Sequence, residues 1–291
     1  MSTSGRASEC WREVESSDQC ALSGEAERVI WWWEQLERSL EGGRIVMSTM
    51  GLSVRRGRVC VALGCLLCAP VSTIAAIYSV CPDSTGDFLS VEVAIDAAVD
   101  GVVVVLCVGV FPHQGLVDFL GKKIVVRSES GDPEGCILPA RFYFHNDEDS
   151  MSILEGVTVT GSGGGLGGAF VLVLASPTIR DCRIVDNWAT DMGGAMFLNG
   201  SSPLLVRCTI SGNHSDFHGG GVYCTAGSNP HFEDCLIAGN AAAWWGGGIC
   251  CDGTDSPVFV GCTISGNTGL LAGGGLFISN PSPPVALERT I

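Results

Sequence analysis

Basic residues are scarce in this 291-residue chain: 16 Lys and Arg stand against 31 Asp and Glu, a formal net charge of −15. An acidic surface repels phosphate backbones. The few cations form no stripe, with only Lys122, Lys123 and Arg127 lying close together, so no nucleic-acid partner is expected. The 40 glycines follow no Gly-X-Y period, which excludes a collagen helix. No apolar run is long and uninterrupted enough for a membrane-spanning helix. The 15 cysteines show no zinc-type spacing, and Cys65 and Cys68, which have CxxC form, sit in an apolar run. Hydrophobic residues make up 46% of the chain, which excludes a disordered glycine-rich linker. What is present, abundant Gly with many Val, Ile and Cys, points to short strands joined by tight turns.

The apolar run has the form of an export leader. Arg55, Arg56 and Arg58 precede the stretch from Val59 to Ala69, and Pro70 and the small residues Ser72 to Ala76 follow it. A basic region, an apolar region and a small-residue cleavage site after Ala75 or Ala76 are the parts of a signal peptide. The expected organisation is therefore a non-native or disordered extension at 1–49, a signal peptide at 50–76 and one domain at 77–291. The mature chain is expected to lack a transmembrane span and to be secreted or held at the cell surface or outer membrane.

Downstream, Val91, Ile95, Ala98 and Val99 share one helical face, Ser90 suits an N-cap and Gly101 a stop. Val102 to Val108 then reads as a strand buried on both faces. A short amphipathic helix ahead of the first strand would cap a stacked apolar core. The residues Ala94-Ile95-Asp96-Ala97-Ala98, Gly101, Val104, Gly109 and Phe111, followed by Gly121 to Ser128, resemble the start of bacterial pectin-lyase-like β-helix proteins. Val102 and Val103 depart from that pattern, which has Asp and Thr there.

The densest signal is an internal repeat. Prolines fall at 177, 203, 230, 257 and 284; cysteines at 182, 208, 235 and 262; asparagines at 187, 213, 240 and 267; and glycine runs begin at 193, 219, 246 and 273. All four features recur at 26 or 27 residues in register. Helix formers are lacking, and three short strands with three turns suit such a period. Stacked at ~4.8 Å per coil, identical positions fall on top of one another. The expected fold is an all-β, right-handed parallel β-helix with coils of about 27 residues. A further coil is expected around Ile153 to Ala169. At the other end, Pro284 to Ile291 begins a unit with Arg289 in the Cys position. That coil looks broken off: either the sequence is a fragment of a longer protein, or the last coil is an uncapped edge suited to end-to-end association.

Read as columns, Cys182, Cys208, Cys235 and Cys262 alternate with Ile184, Ile210, Ile237 and Ile264 toward the core. A second inward set comprises Met196, Val222, Ile249 and Leu276, then Leu198, Cys224, Cys251 and Ile278. Parallel Cβ vectors suit disulfides poorly, with Cys224 and Cys251 the pair nearest to an exception. Asn187, Asn213, Asn240 and Asn267 form a candidate asparagine ladder that satisfies buried turn backbone. The Gly-Gly-Ala-Met run at 193–196 and the elements ending in Asn187 and Asn213 resemble polymorphic outer membrane protein repeats.

Chemistry is harder to find. Cleaving a polysaccharide needs clustered carboxylates or a positioned base, yet the matched loop positions read Asp191, Phe217, Trp244, Leu271 and Thr190, Asp216, Ala243, Leu270, with no stacked acidic pair. His214, Asp216 and His218 share one turn, and Asp147-Glu148-Asp149 is a run of the kind that can bind calcium. Both read more simply as solvated loops, and no cofactor, metal site or catalytic residue is assigned. Aromatics offer the better lead. Trp188, Phe217, Trp244 and Trp245 fall between Asn and the Gly run, while Phe197, Tyr223 and Phe277 occupy one outward column, where rings can stack on sugars or anchor a partner. The expected function is an adhesin-like module binding a glycan or a surface protein. Two alternatives stay open: a pectin-lyase-like polysaccharide lyase or hydrolase, and a purely structural stalk.

Overall fold

The computed structural model describes residues 76–280 and 284–291. The upstream segment at 1–49 and the leader, save Ala76, lie outside them. Every strand pairing among the described residues is parallel, and the strands form four sheets of nine, seven, five and seven members. One coil shows the path. The chain runs through Thr178–Arg180 in sheet 1, Arg183–Val185 in sheet 2, Trp188–Ala189 in sheet 3 and Met196–Asn199 in sheet 4. It then returns to sheet 1 at Leu204–Val206. The expectation of three strands per coil is corrected here. A two-residue strand after each Asn adds a fourth face, paired in register from Gly163 to Thr268.

Sheet 1 starts its rungs at Ile77, Val103, Val125, Ile153, Thr178, Leu204, His231, Val258 and Ala286. Spacing runs from 22 residues, Val103 to Val125, to 28, Val258 to Ala286. Because the last interval is 28, Ala286 pairs Val258, and the sequence alignment slips by one. Thr290, not Arg289, occupies the cysteine position: its Oγ1 accepts from Cys262 N at 3.4 Å and donates to Glu288 O at 3.1 Å. Arg289 instead takes the corner position of Asp181, Arg207 and Asp234, with the same positive φ of 49 to 54°.

Like residues stack in the core. Phe232 and Phe259 lie 5.1 Å apart and nearly coplanar, and Phe142 and Phe170 do the same at 5.2 Å. Each such fully buried ring is worth about 1.5–3 kcal/mol over an exposed one. The four column cysteines are buried in single file at the corner between sheets 1 and 2. Each thiol turns back on a backbone carbonyl, as Cys182 Sγ does to Arg180 O at 3.2 Å and Cys235 Sγ to Glu233 O at 3.3 Å. Burial pushes the Cys182 thiol up to about 12.

The helix α1 spans Val91–Ala97 and buries Val91, Ala94 and Ile95 in the core. Ser90 Oγ accepts from Val93 N at 3.3 Å, and Lys122 Nζ donates to the last-turn carbonyls of Ile95 and Asp96 at 2.6 and 2.9 Å. Two expectations change. Ala98 is already extended, so Val99 leaves the helical face and is exposed. The helix also does not precede the first strand, because Ile77–Val80 comes before it and pairs Val103–Leu106. Cys81 and Cys107, at the ends of those two strands, form a disulfide, whereas Cys224 and Cys251 are free thiols.

Candidate functional site

The first residue of each glycine run decides the geometry of one face. Gly193 has φ +73°, and a Cβ there would collide with the carbonyl oxygen of Met196. This close turn folds the preceding loop back over the outer surface of sheet 4. The loops stack in register, as Gly193 N donates to His218 O and Gly219 N to Trp245 O, both at 2.9 Å. Leu166, Met192, His218 and Trp245 therefore follow one another along the inner side of the loops.

These residues cover the outward column of sheet 4. Phe197 and Tyr223, adjacent in register, stack at 5.8 Å with an 11° tilt. His218 stacks on Trp245 at 4.7 Å and lies 6.1 Å from Tyr223, and Trp245 stacks on Phe277 at 5.0 Å. Only 7% of Phe197 and 5% of Tyr223 remain accessible. The outward-facing column predicted from sequence is real, but Phe197 and Tyr223 are packed under the loops. Trp245 and Phe277 are half-buried in the same cluster.

The loop tips differ. Phe217 N donates to Asp191 O at 3.1 Å, Trp244 N to Phe217 O at 2.8 Å and Leu271 N to Trp244 O at 2.9 Å, so these four residues form a ridge along the coil axis. Phe217 is 39% exposed, Trp244 43% and Leu271 65%. The Phe217 and Trp244 rings sit 5.3 Å apart. Exposed large apolar residues are unremarkable one at a time, but a contiguous row marks a contact surface. Leu270, also exposed, widens it.

The polar residues of that turn separate. His214 Nε2 lies 3.1 Å from Asp216 Oδ1 on the exposed surface. His218 turns to the rings, and burial holds its pKa below the usual imidazole value. Asp147-Glu148-Asp149 also disperses. Glu148 is buried and accepts from Gly121 N at 2.8 Å and Asn146 N at 2.9 Å, while Asp149 pairs with Lys123 at 2.8 Å. Glu148 is therefore part of the loop's own bonding rather than a solvated side chain. Among the described residues no group of three His, Cys, Asp or Glu is placed to hold a metal ion.

The asparagine column forms a continuous ladder. Oδ1 of Asn213, Asn240 and Asn267 accepts from the Asn one coil earlier and that of Asn187 from Ser162 N, while each Nδ2 reaches back to a carbonyl, as Asn213 does to Ile184 O at 2.9 Å. Sequence reading overlooked a second ladder just before the prolines. Ala175 N donates to Ser201 Oγ, Ser201 N to Ser228 Oγ and Ser228 N to Asp255 Oδ1. It also passed over the Leu166–Met192–His218–Trp245 file. Both were signalled by position alone, the first two residues before each proline and the second immediately before each glycine run.

A family model agrees with this architecture. Residues 143–287 match the family model described as a right handed beta helix region. No curated protein matches the chain. Two solved structures of the pectin methylesterase from Aspergillus niger, in deglycosylated and penultimately deglycosylated forms, align at 13% and 12% identity with TM-scores of 0.43 and 0.42. Each alignment covers 69% of this chain and 69% of the other. With its parallel coils, its stacked columns and the matched region at 143–287, this chain is a right-handed parallel β-helix protein.

Proposed function

We propose that this protein is an exported, non-catalytic binding module that holds an extended glycan or surface protein along the ridge of Phe217, Trp244 and Leu271. The exposed row of apolar side chains on hydrogen-bonded loops carries this reading. The backbone ladder beneath holds the row rigid, which lowers the entropy lost on binding. The ionic carboxylates of the coils support binding over cleavage, because several are engaged by cations: Glu155 by Arg180 at 2.7 Å, Asp181 by Arg207 at 2.6 Å, and Glu134 by Arg183. Export is supported by the basic-apolar leader and by the Cys81–Cys107 disulfide, a bond that persists in oxidising compartments.

Screening the purified protein against arrays of glycans and of cell-surface proteins tests the reading. A ligand is expected whose binding falls at least tenfold in Phe217→Ala and Trp244→Ala, with far-UV circular dichroism unchanged. Binding that survives both substitutions, or release of reducing sugar from a polymer, would overturn it.

A further inference from the structure

Charge around the ridge has one sign. From Cys208 to Glu288 the chain contains no Lys or Arg, while Asp216, Glu233, Asp234, Asp252, Asp255 and Glu288 are acidic. Earlier cations are engaged away from the ridge: Arg180, Arg183 and Arg207 by carboxylates, and Arg141 by the carbonyls of Leu166 and Gly167. Of the two imidazoles at the ridge, His214 is paired to Asp216 and His218 is packed among rings. Asp191 sits on the same ridge, its carbonyl accepting from Phe217 N at 3.1 Å, and Asp252 Oδ2 lies 3.4 Å from the hydroxyl of Tyr223, whose ring is 6.1 Å from His218. Asp216 immediately precedes Phe217 on its exposed turn.

Exposed ring faces flanked by carboxylates, with no neighbouring cation, attract ammonium groups through ring quadrupole and charge, and they repel carboxylate polymers. The rows also have a fixed pitch. Ridge residues recur once per coil, ~4.8 Å apart, whereas an extended peptide advances ~3.3 Å per residue. The coil pitch is comparable to the advance of a hexose unit in an extended chain, so a saccharide running along the axis can meet successive ridge residues in step.

We propose, resting on the reading of the ridge as a binding surface, that its ligand is a polysaccharide bearing protonated amines. Hexosamine units lie against Phe217 and Trp244, with their ammonium groups toward Asp216, Asp191 and Asp252. Neutral, acetylated chains lose the charge contact, and uronate chains are repelled.

Calorimetric titration of the full chain with four probes tests this: a glucosamine hexamer, its fully N-acetylated counterpart, a galacturonate hexamer and a lysine hexamer. The glucosamine hexamer is expected to bind at least tenfold tighter than the others, and less tightly as salt is added. Trp244→Ala is expected to lose at least tenfold and Asp216→Asn severalfold, each with an unchanged circular dichroism spectrum. Tighter binding of the acetylated or uronate hexamer overturns the charge assignment while leaving the ridge reading intact. A lysine hexamer bound as tightly as the sugar overturns the saccharide assignment. Glucosamine binding that ignores Trp244→Ala reports a diffuse acidic surface and overturns the site. If no probe binds and the arrays are also empty, the ridge reading fails and this inference fails with it.

Discussion

Asn213 offers two donors to one acceptor: its backbone N–H lies 3.0 Å and its Nδ2 2.9 Å from the same Oδ1 of Asn240. The geometry closes a buried turn whose backbone has no other partner in that direction. A deletion there strands donors and acceptors on the coils above and below, and each costs about 1–3 kcal/mol when buried and unpaired. Asn213→Ala is therefore expected to destabilise the fold by about 2–4 kcal/mol, read from urea denaturation. A change below about 0.5 kcal/mol would show that the ladder is dispensable.

Asp255 breaks the pattern of its own column, in which Ser201 and Ser228 precede it. It is fully buried, its Oδ1 accepts from Ser228 N at 2.6 Å, and its Oδ2 has no partner among the described residues. Burial raises its pKa above the usual 3.8, so the folded state favours the neutral acid. At pH below both values there is no penalty. As pH climbs from the unfolded value through the raised folded value, stability falls, and it is level beyond. Asp255→Ser is expected to raise the Tm near pH 7 and to remove that part of the slope. Melting curves of both proteins from about pH 4 to pH 8 check it, and parallel profiles would refute it.

The disulfide staples the first rung to the second across 26 residues that include α1. In the chain-entropy account such a closure stabilises by about 3–4 kcal/mol. Reductant, or replacement of Cys81 and Cys107 by Ala, is expected to increase hydrogen exchange first in residues 77–106, before the later coils. Uniform loosening along the whole chain would argue against a local staple.

The column thiols should be inert while the coils hold. With its thiol pushed up to about 12 by burial, Cys182 is expected to resist alkylation near pH 8 in native protein and to react at once in denaturant. Peptide mass spectrometry at Cys182 gives the readout. Rapid native labelling would mean that the corner opens far more often than its packing implies.

Glycine at 193 is required by two independent constraints, a φ of +73° and the absence of room for a Cβ against Met196 O. Gly193→Ala is expected to cost at least about 1–2 kcal/mol and to loosen the loop that carries Asp191. A thermal melt within a degree of wild type would contradict this.

The fold was legible because a solenoid writes its tertiary contacts into its period. Residues 26 or 27 apart become neighbours, so the files of Cys182 and Asn187 are legible from spacing alone. Legibility failed where register changed. The extra residue before Ala286 moved Thr290 into the place expected for Arg289. It failed again at Cys81 and Cys107, which lie outside the regular repeat, and at Val99, where the helix ends earlier than its apolar pattern.

By itself the sequence determined which side chains share a file, since spacing along the chain sets stacking across coils. Only the tertiary structure decided which of those files meet water. Phe197 and Phe217 look alike in composition and period, yet the fold of the loop over sheet 4 hides the first ring and leaves the second in solvent. The reason is physical: period reports position around the coil, whereas exposure depends on what another segment, turned back at a left-handed glycine, lays on top.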